Sequence, residues 1–215
     1  MAMKFKVLVL DFDGVILESE GIKDWAFEKL FSQHPQHLKD ILNYHKAHTA
    51  VGRFEKFQYI TEQILSEKYT PSLEKSLGAE FARLVFERVV DCPFVKGAKE
   101  FLDGYFGEVP IYLASINPAD ELQKILQARQ LEKYFKNVYT TPWLKKDVLK
   151  EIMGREGVSG DQALFIGDTF EDFRSAQDAG VSFIGRNSGK SFQGAPIRIF
   201  DDLTGVQEFL EQSGS

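Results

Sequence analysis

The chain has 215 residues, 43% of them hydrophobic and 27% charged, with 19 phenylalanines. That usage excludes a disordered chain, and at about 150 residues per domain it leaves room for one domain with a large insertion or for two small ones. A formal net charge of −6 without any basic tract argues against a nucleic-acid backbone or an anionic membrane surface as the main partner. The single cysteine, Cys92, excludes an intrachain disulfide framework and fits a reducing compartment. No segment approaches the ~20 apolar residues of a membrane span, and Asp11 cuts the first apolar run short of a signal peptide. The expectation is an acidic cytoplasmic protein.

The first apolar run, FKVLVL (Phe5 to Leu10), lacks alternation, as a strand buried on both faces should, and it ends in the loop signal DFDG. Similar runs follow at Val109–Ser115, Asn137–Thr141, Ala163–Asp168 and Val181–Gly185, with a possible sixth at Ile197–Phe200. Between them lie helical patterns. Pro118 suits a first helical turn ahead of Leu122, Ile125, Leu126 and Leu131, and Val148, Leu149, Ile152 and Met153 repeat the pattern before a glycine. Strands alternating with helices predict an open parallel sheet covered on both faces.

The stretch from about Ile16 to Val90 breaks that rhythm and carries only helical periodicity: Phe54, Phe57, Ile60 and Ile64 on one face, Phe81, Leu84, Val85 and Val89 on another. The fold class is therefore α/β, a Rossmann-like parallel-sheet core with an inserted all-helical cap. The expected division assigns residues 1–15 and 92–215 to the core and 16–91 to the cap. Ligands of such sheets bind beyond the carboxyl ends of the strands, so the cap is expected over the site.

Polar groups cluster at those strand ends. In DFD, alternate residues of an extended segment aim the Asp11 and Asp13 carboxylates to one side, a costly pairing unless a cation or proton compensates it. Ser115 ends the second strand, with Asn117 just after it; Lys145 follows the third; and GDTFED ends the fourth with Asp168 and Asp172. Taken singly, these are turn residues, a solvated lysine, or a helix start in which Asp168 is the N-cap and Glu171 and Asp172 complement the helix dipole. Taken together, up to four carboxylates call for a hard divalent cation. Mg²⁺ is the natural one, bound through carboxylates, water and a substrate phosphate, with a hydroxyl and a lysine as partners for the phosphoryl group.

These motifs in this order resemble the haloacid dehalogenase-like hydrolases, in the capped phosphatase branch that includes phosphoglycolate phosphatase-like and β-phosphoglucomutase-like enzymes. DFDGV is similar to that family's first motif, YLASIN to the second, the lysine of PWLKKDVL to the third and GDTFEDFRSAQDAG to the fourth, while PFVKGAKEFL is similar to the segment that restarts the core after the cap. The resemblance implies that Asp11 is the nucleophile, forming an aspartyl phosphate, and that Asp13 is the general acid and then base. It implies Mg²⁺ held by Asp11, the Asp13 carbonyl and Asp168, with Asp172 as a further or outer ligand. Ser115 would hydrogen-bond a phosphoryl oxygen, Asn117 would be a further substrate-binding residue, and Lys145 would neutralise Asp11 and the phosphate together. The second aspartate of DFD excludes a dehalogenase.

Departures from the pattern leave choices open. The third-motif lysine is followed here by Lys146 and Asp147 rather than proline, so Lys146 stands as an alternative to Lys145, and Glu18-Ser19 replaces a common Asp-Ser. In the cap, Arg53 sits where related enzymes often keep a basic residue that meets the substrate; its other reading is an exposed helix start. The histidines, His34, His37, His45 and His48, fall in two i, i+3 pairs, and a solvated cap face is the expected reading. GRNSGKS (Gly185 to Ser191) looks like a phosphate-binding P-loop but is one residue short between its glycines, and no helical pattern follows it.

The expected function is Mg²⁺-dependent hydrolysis of a small phosphorylated metabolite by a monomer or homodimer. A phosphomutase of the same superfamily is the nearest alternative, and a phosphoacceptor or binding module the next.

Overall fold

In the computed structural model, residues 4–48 and 51–213 are described. Contacts divide the chain into two units, Met1–Glu20 with Cys92–Ser215, and Gly21–Asp91. Residues 1–3, 49–50 and 214–215 of the expected core and cap spans lie outside the described residues. The break after Glu20 leaves 16–20 with the sheet, because their backbone is tied there: Val95 N donates to Ile16 O at 3.0 Å, Glu18 N to Pro93 O at 2.9 Å, and Leu17 forms bridges to Asp13 and Phe94.

The first unit is an α/β fold with a Rossmann-like sheet. Its strands are β1 (Val7–Leu10), β2 (Ile111–Ala114), β3 (Asn137–Tyr139), β4 (Ala163–Gly167), β5 (Ser182–Arg186) and β6 (Arg198–Phe200), all parallel and ordered β3-β2-β1-β4-β5-β6. The central strands β1, β2 and β4 are buried along their whole length, which is why their sequences are continuously apolar; the edge strand β6 is largely exposed. Alternate residues Val7, Val9, Tyr112, Ala114 and Phe165 share one face and pack against Val148, Leu149, Ile152 and Ala176. Removing each such aliphatic or aromatic side chain from water contributes ~1.5–3 kcal/mol.

The second unit holds α1 (Ile22–Leu30), α2 (Leu38–Ala47), α3 (Arg53–Tyr59), a π-helical turn at Ile60–Ile64, and α4 (Pro71–Asp91). Phe27, Phe31, Phe57 and Phe81 form its aromatic interior, with ring centroids 5.1–6.3 Å apart. The apolar face expected at 54–64 is only partly buried: Phe57 and Ile60 are inside, whereas Phe54 is 44% exposed and Ile64 half-buried. The π turn adds a residue per turn and carries Ile64 off the stripe. Helices of the first unit are α5 (Ala98–Tyr105), α6 (Ala119–Ala128), α7 (Lys145–Glu156), α8 (Phe170–Ala179) and α9 (Leu203–Ser213). Among the described residues no helix is long and apolar enough to cross a membrane.

Candidate active site

β1 and β4 lie side by side where the strand order reverses, the place at which an open parallel sheet leaves a crevice. Asp11 follows β1 directly, and its amide donates to Ile166 O at 2.9 Å. Asp168 follows β4, and α8 then brings Asp172 round by one turn. One carboxylate oxygen from each of Asp11, Asp168 and Asp172 lies within 4.8 Å of the others, and all three side chains are buried. Two glycines allow the approach. Gly14 turns with φ +70°, and a Cβ there would lie 2.3 Å from Asp168 Oδ2; a Cβ on Gly167 would lie 2.5 Å from Asp172 Cβ.

Each carboxylate is engaged differently. Asp11 Oδ1 accepts the Phe12 amide at 2.7 Å, while Oδ2 lies 2.9 Å from Lys145 Nζ. Burial pushes the Asp11 carboxyl up to about 7; Lys145 opposes the rise, and the Asp172 and Asp168 carboxylates add to it. Asp172 Oδ1 accepts from Lys145 Nζ at 2.6 Å, and its Oδ2 accepts the Thr169 hydroxyl at 2.6 Å and the Thr169 amide at 3.2 Å. This makes a capping box in which Thr169, not Asp168, is the N-cap of α8. Asp168 is thereby left free of capping: Lys190 Nζ donates to its Oδ2 at 3.0 Å, and its Oδ1 is buried with no hydrogen-bond partner.

Lys145 opens α7, and burial alone would lower its proton affinity; Asp11 and Asp172 outweigh that and hold the ammonium firmly protonated. Of the two candidate lysines it is Lys145 that reaches the carboxylates. Asp13 stands apart from the cluster. Its Oδ1 accepts from Ser19 Oγ at 2.6 Å and its Oδ2 from Asn117 Nδ2 at 3.0 Å. Ser115 Oγ, buried at the end of β2, accepts the Asn117 amide at 3.2 Å, so both residues of the second motif stand at the same edge of the sheet. Arg53 belongs to the other unit. It begins α3 in the helical unit, with its guanidinium 5.1 Å from the Phe54 ring and 5.6 Å from that of Phe81.

His45 corrects the expectation of solvated histidines. It is buried, stacks on Phe27 at 3.9 Å and contacts Asp24 and Lys56. Three further residues carry parts that motif reading missed. Ser19 holds Asp13. Arg186, on β5, donates to Gly14 O at 3.2 Å and pairs with Glu18, bracing the loop after Asp13. Lys190 meets Asp168. The signal for the last two was GRNSGKS, which looks like a P-loop; the segment 187–197 contains no helix, and its one cation, Lys190, reaches Asp168 at the carboxyl end of β4.

A family-wide profile of the haloacid dehalogenase-like hydrolases matches residues 8–186. A phosphoglycolate phosphatase of Pasteurella multocida (strain Pm70) is 24% identical over 228 residues, spanning 97% of this chain and 99% of its own. Among solved structures, Bacillus subtilis YfnB, described as a HAD hydrolase bound to magnesium, superposes with a TM-score of 0.75 at 16% identity, over 97% of this chain and 99% of its own. CbbY from Rhodobacter sphaeroides in complex with phosphate gives 0.69 at 14% identity, over 94% and 96% of the two chains. The structural likenesses speak to the fold, and the profile match settles the family: the chain belongs to the haloacid dehalogenase-like hydrolases.

Proposed function

We propose that the chain is a Mg²⁺-dependent phosphatase that hydrolyses a small phosphorylated metabolite through an aspartyl phosphate on Asp11. One observation carries this reading. A buried carboxylate, Asp11, lies 2.9 Å from the largely buried Lys145 ammonium and beside Asp168, whose Oδ1 is buried with no partner. The donor set fits a hard cation: oxygen ligands only, and more negative charge than Lys145 neutralises. Asp11 and Asp168 would hold it with the Asp13 carbonyl. Asp172, with Oδ1 on Lys145 and Oδ2 in the capping box, would act as an outer residue. When bound, Mg²⁺ supplies charge neutralisation to the carboxylates and to the phosphoryl oxygens.

The residues then divide the work. Asp11 attacks phosphorus as the P–O bond to the leaving group breaks, and Lys145, already on Asp11 Oδ2, stabilises the charge that spreads over the equatorial oxygens. Ser115 donates its hydroxyl to one of those oxygens. Asp13 gives a proton to the leaving oxygen and later takes one from the water that opens the aspartyl phosphate. Because Oδ2 receives an amide N–H from Asn117, the proton belongs on Oδ1, where the Ser19 hydroxyl can turn from donor to acceptor.

The likeness to a phosphoglycolate phosphatase supports short phosphorylated carboxylic acids as the first substrates to try. The test is phosphate release from these and from an aryl phosphate, with and without Mg²⁺, using Asp11→Asn as control. Metal-dependent release lost in the variant is the expected result. Turnover that survives either metal removal or Asp11→Asn overturns the reading.

A further inference from the structure

The loop after β5 reaches the carboxylate cluster through one side chain. Lys190 Nζ lies 3.0 Å from Asp168 Oδ2 and 2.8 Å from Glu20 Oε1, so a single ammonium joins a buried carboxylate to a half-exposed one. Two physical effects compete at such a contact. As a hydrogen-bond donor, Lys190 could order Asp168 and deliver its other oxygen to a cation. As a fixed positive charge, it lowers the field that attracts that cation.

Packing decides between them. Asp168 is 1% exposed in its side chain and rests against Gly14, where even a Cβ would lie 2.3 Å from Oδ2. Its rotamer is held by the surrounding backbone, so losing one hydrogen bond from a 41% exposed lysine costs it little order. The Coulomb effect has no such substitute, and on a divalent cation it is doubled.

We propose that Lys190 is a built-in charge that sets, by repulsion across Asp168, how tightly this site holds its divalent cation, and that Glu20 moderates it. The inference rests on Asp168 being a ligand, as in the function proposed above. Lys190 then acts on the cation through its charge and does not touch the phosphoryl group. Its consequence is a site that exchanges its cation readily despite three clustered carboxylates.

The experiment is calorimetric titration of Mg²⁺ into the intact chain and into Lys190→Met, Lys190→Arg and Glu20→Gln, without substrate. Lys190→Met should bind Mg²⁺ about tenfold more tightly and Lys190→Arg within about twofold of the parent, since the charge is kept. Glu20→Gln should bind severalfold more weakly, because the ammonium then loses its second counter-charge. A merely structural lysine would not give opposite shifts for these neutralising substitutions. Unchanged or weaker Mg²⁺ binding in Lys190→Met overturns the inference. No Mg²⁺ binding by the unmodified chain would overturn the cation site itself.

Discussion

Lys145 Nζ stands 2.6 Å from Asp172 Oδ1, and the same ammonium lies 2.9 Å from Asp11 Oδ2. The two carboxylates are not equivalent. Asp172 also closes the capping box of α8, so it is fixed by secondary structure and in turn fixes Lys145. The lysine is thereby pre-aimed at Asp11, with no reorganisation needed as charge develops. Lys145→Ala should lower kcat by about 10²–10³-fold, the loss of one preorganised electrostatic partner. Lys146→Ala, one position along α7, should stay within about threefold of the parent. Steady-state kinetics on both variants checks the pair, and the reverse ranking would overturn the assignment of the lysine.

Burial makes Asp11 a source of pH-dependent stability. Its carboxyl titrates near 7 in the folded chain against an ordinary value of 3.8, chiefly because it is buried. The folded state therefore binds the proton more tightly than the unfolded state, and stability falls as pH rises from about 4 through 7. Asn at this position is neutral at every pH. Asp11→Asn should be inactive yet melt at least ~2 °C above the parent at pH 8 in metal-free buffer, with a flatter dependence of Tm on pH between 5 and 8. Thermal melts of both proteins in chelator decide this, and an unaltered pH slope would remove Asp11 as its source.

What was legible in the sequence follows from how much each feature depends on local pattern. Strands buried on both faces must be continuously apolar, so β1, β2 and β4 announced themselves, and with them the residues at their ends. That Asp11, Ser115, Lys145 and Asp168 share one edge of the sheet was legible because parallel strands deliver their carboxyl ends there. Lys190 and Arg186 could not, because what brings them to Asp168 and Glu18 is the path of a loop without periodicity, over 150 residues away in sequence for Arg186 and Glu18. His45 differs for another reason: a polar residue on an amphipathic helix is normally solvated, and here Asp24 on one ring nitrogen and Lys56 on the other make its burial tolerable. The π turn after α3 defeated a strict 3.6-residue stripe, leaving Ile64 only half-buried.

The Ser19 contact gives a narrower test of the acid-base assignment. Ser19 Oγ and Asn117 Nδ2 each hold one oxygen of Asp13, the first from the segment after β1 and the second from the loop after β2, at the same edge of the sheet. Removing the hydroxyl leaves Asn117 in place, so Asp13 keeps part of its orientation. Ser19→Ala should lower kcat about three- to tenfold with little change in KM, and Ser19→Thr should restore it, since a hydrogen bond contributes ~0.5–1.5 kcal/mol net. A loss in KM alone would instead make Ser19 a substrate contact.

The buried histidine makes the helical unit sensitive to acid. Lys56 Nζ has only protons to offer, so the His45 Nδ1 that lies 3.2 Å from it must accept; the ring proton is then on Nε2, donated to Asp24 at 2.9 Å. This bridge works only for the neutral imidazole. Burial holds His45 below its ordinary value of 6.5; Asp24 opposes that through its hydrogen bond, and the Lys56 and Lys46 charges reinforce it. The unfolded chain therefore takes up the proton first, so the contribution of the bridge is complete above about 6.5 and is lost as pH falls below it. Trp25, on α1 in the same unit, can report this once Trp143 is replaced by Phe. Urea unfolding followed by Trp25 fluorescence should show a midpoint that drops between pH 7.5 and 5.5, and a smaller drop in His45→Gln, whose amide oxygen can still accept from Lys56 without gaining a charge. Equal pH slopes in the two proteins would mean that the imidazole is not what senses the acid.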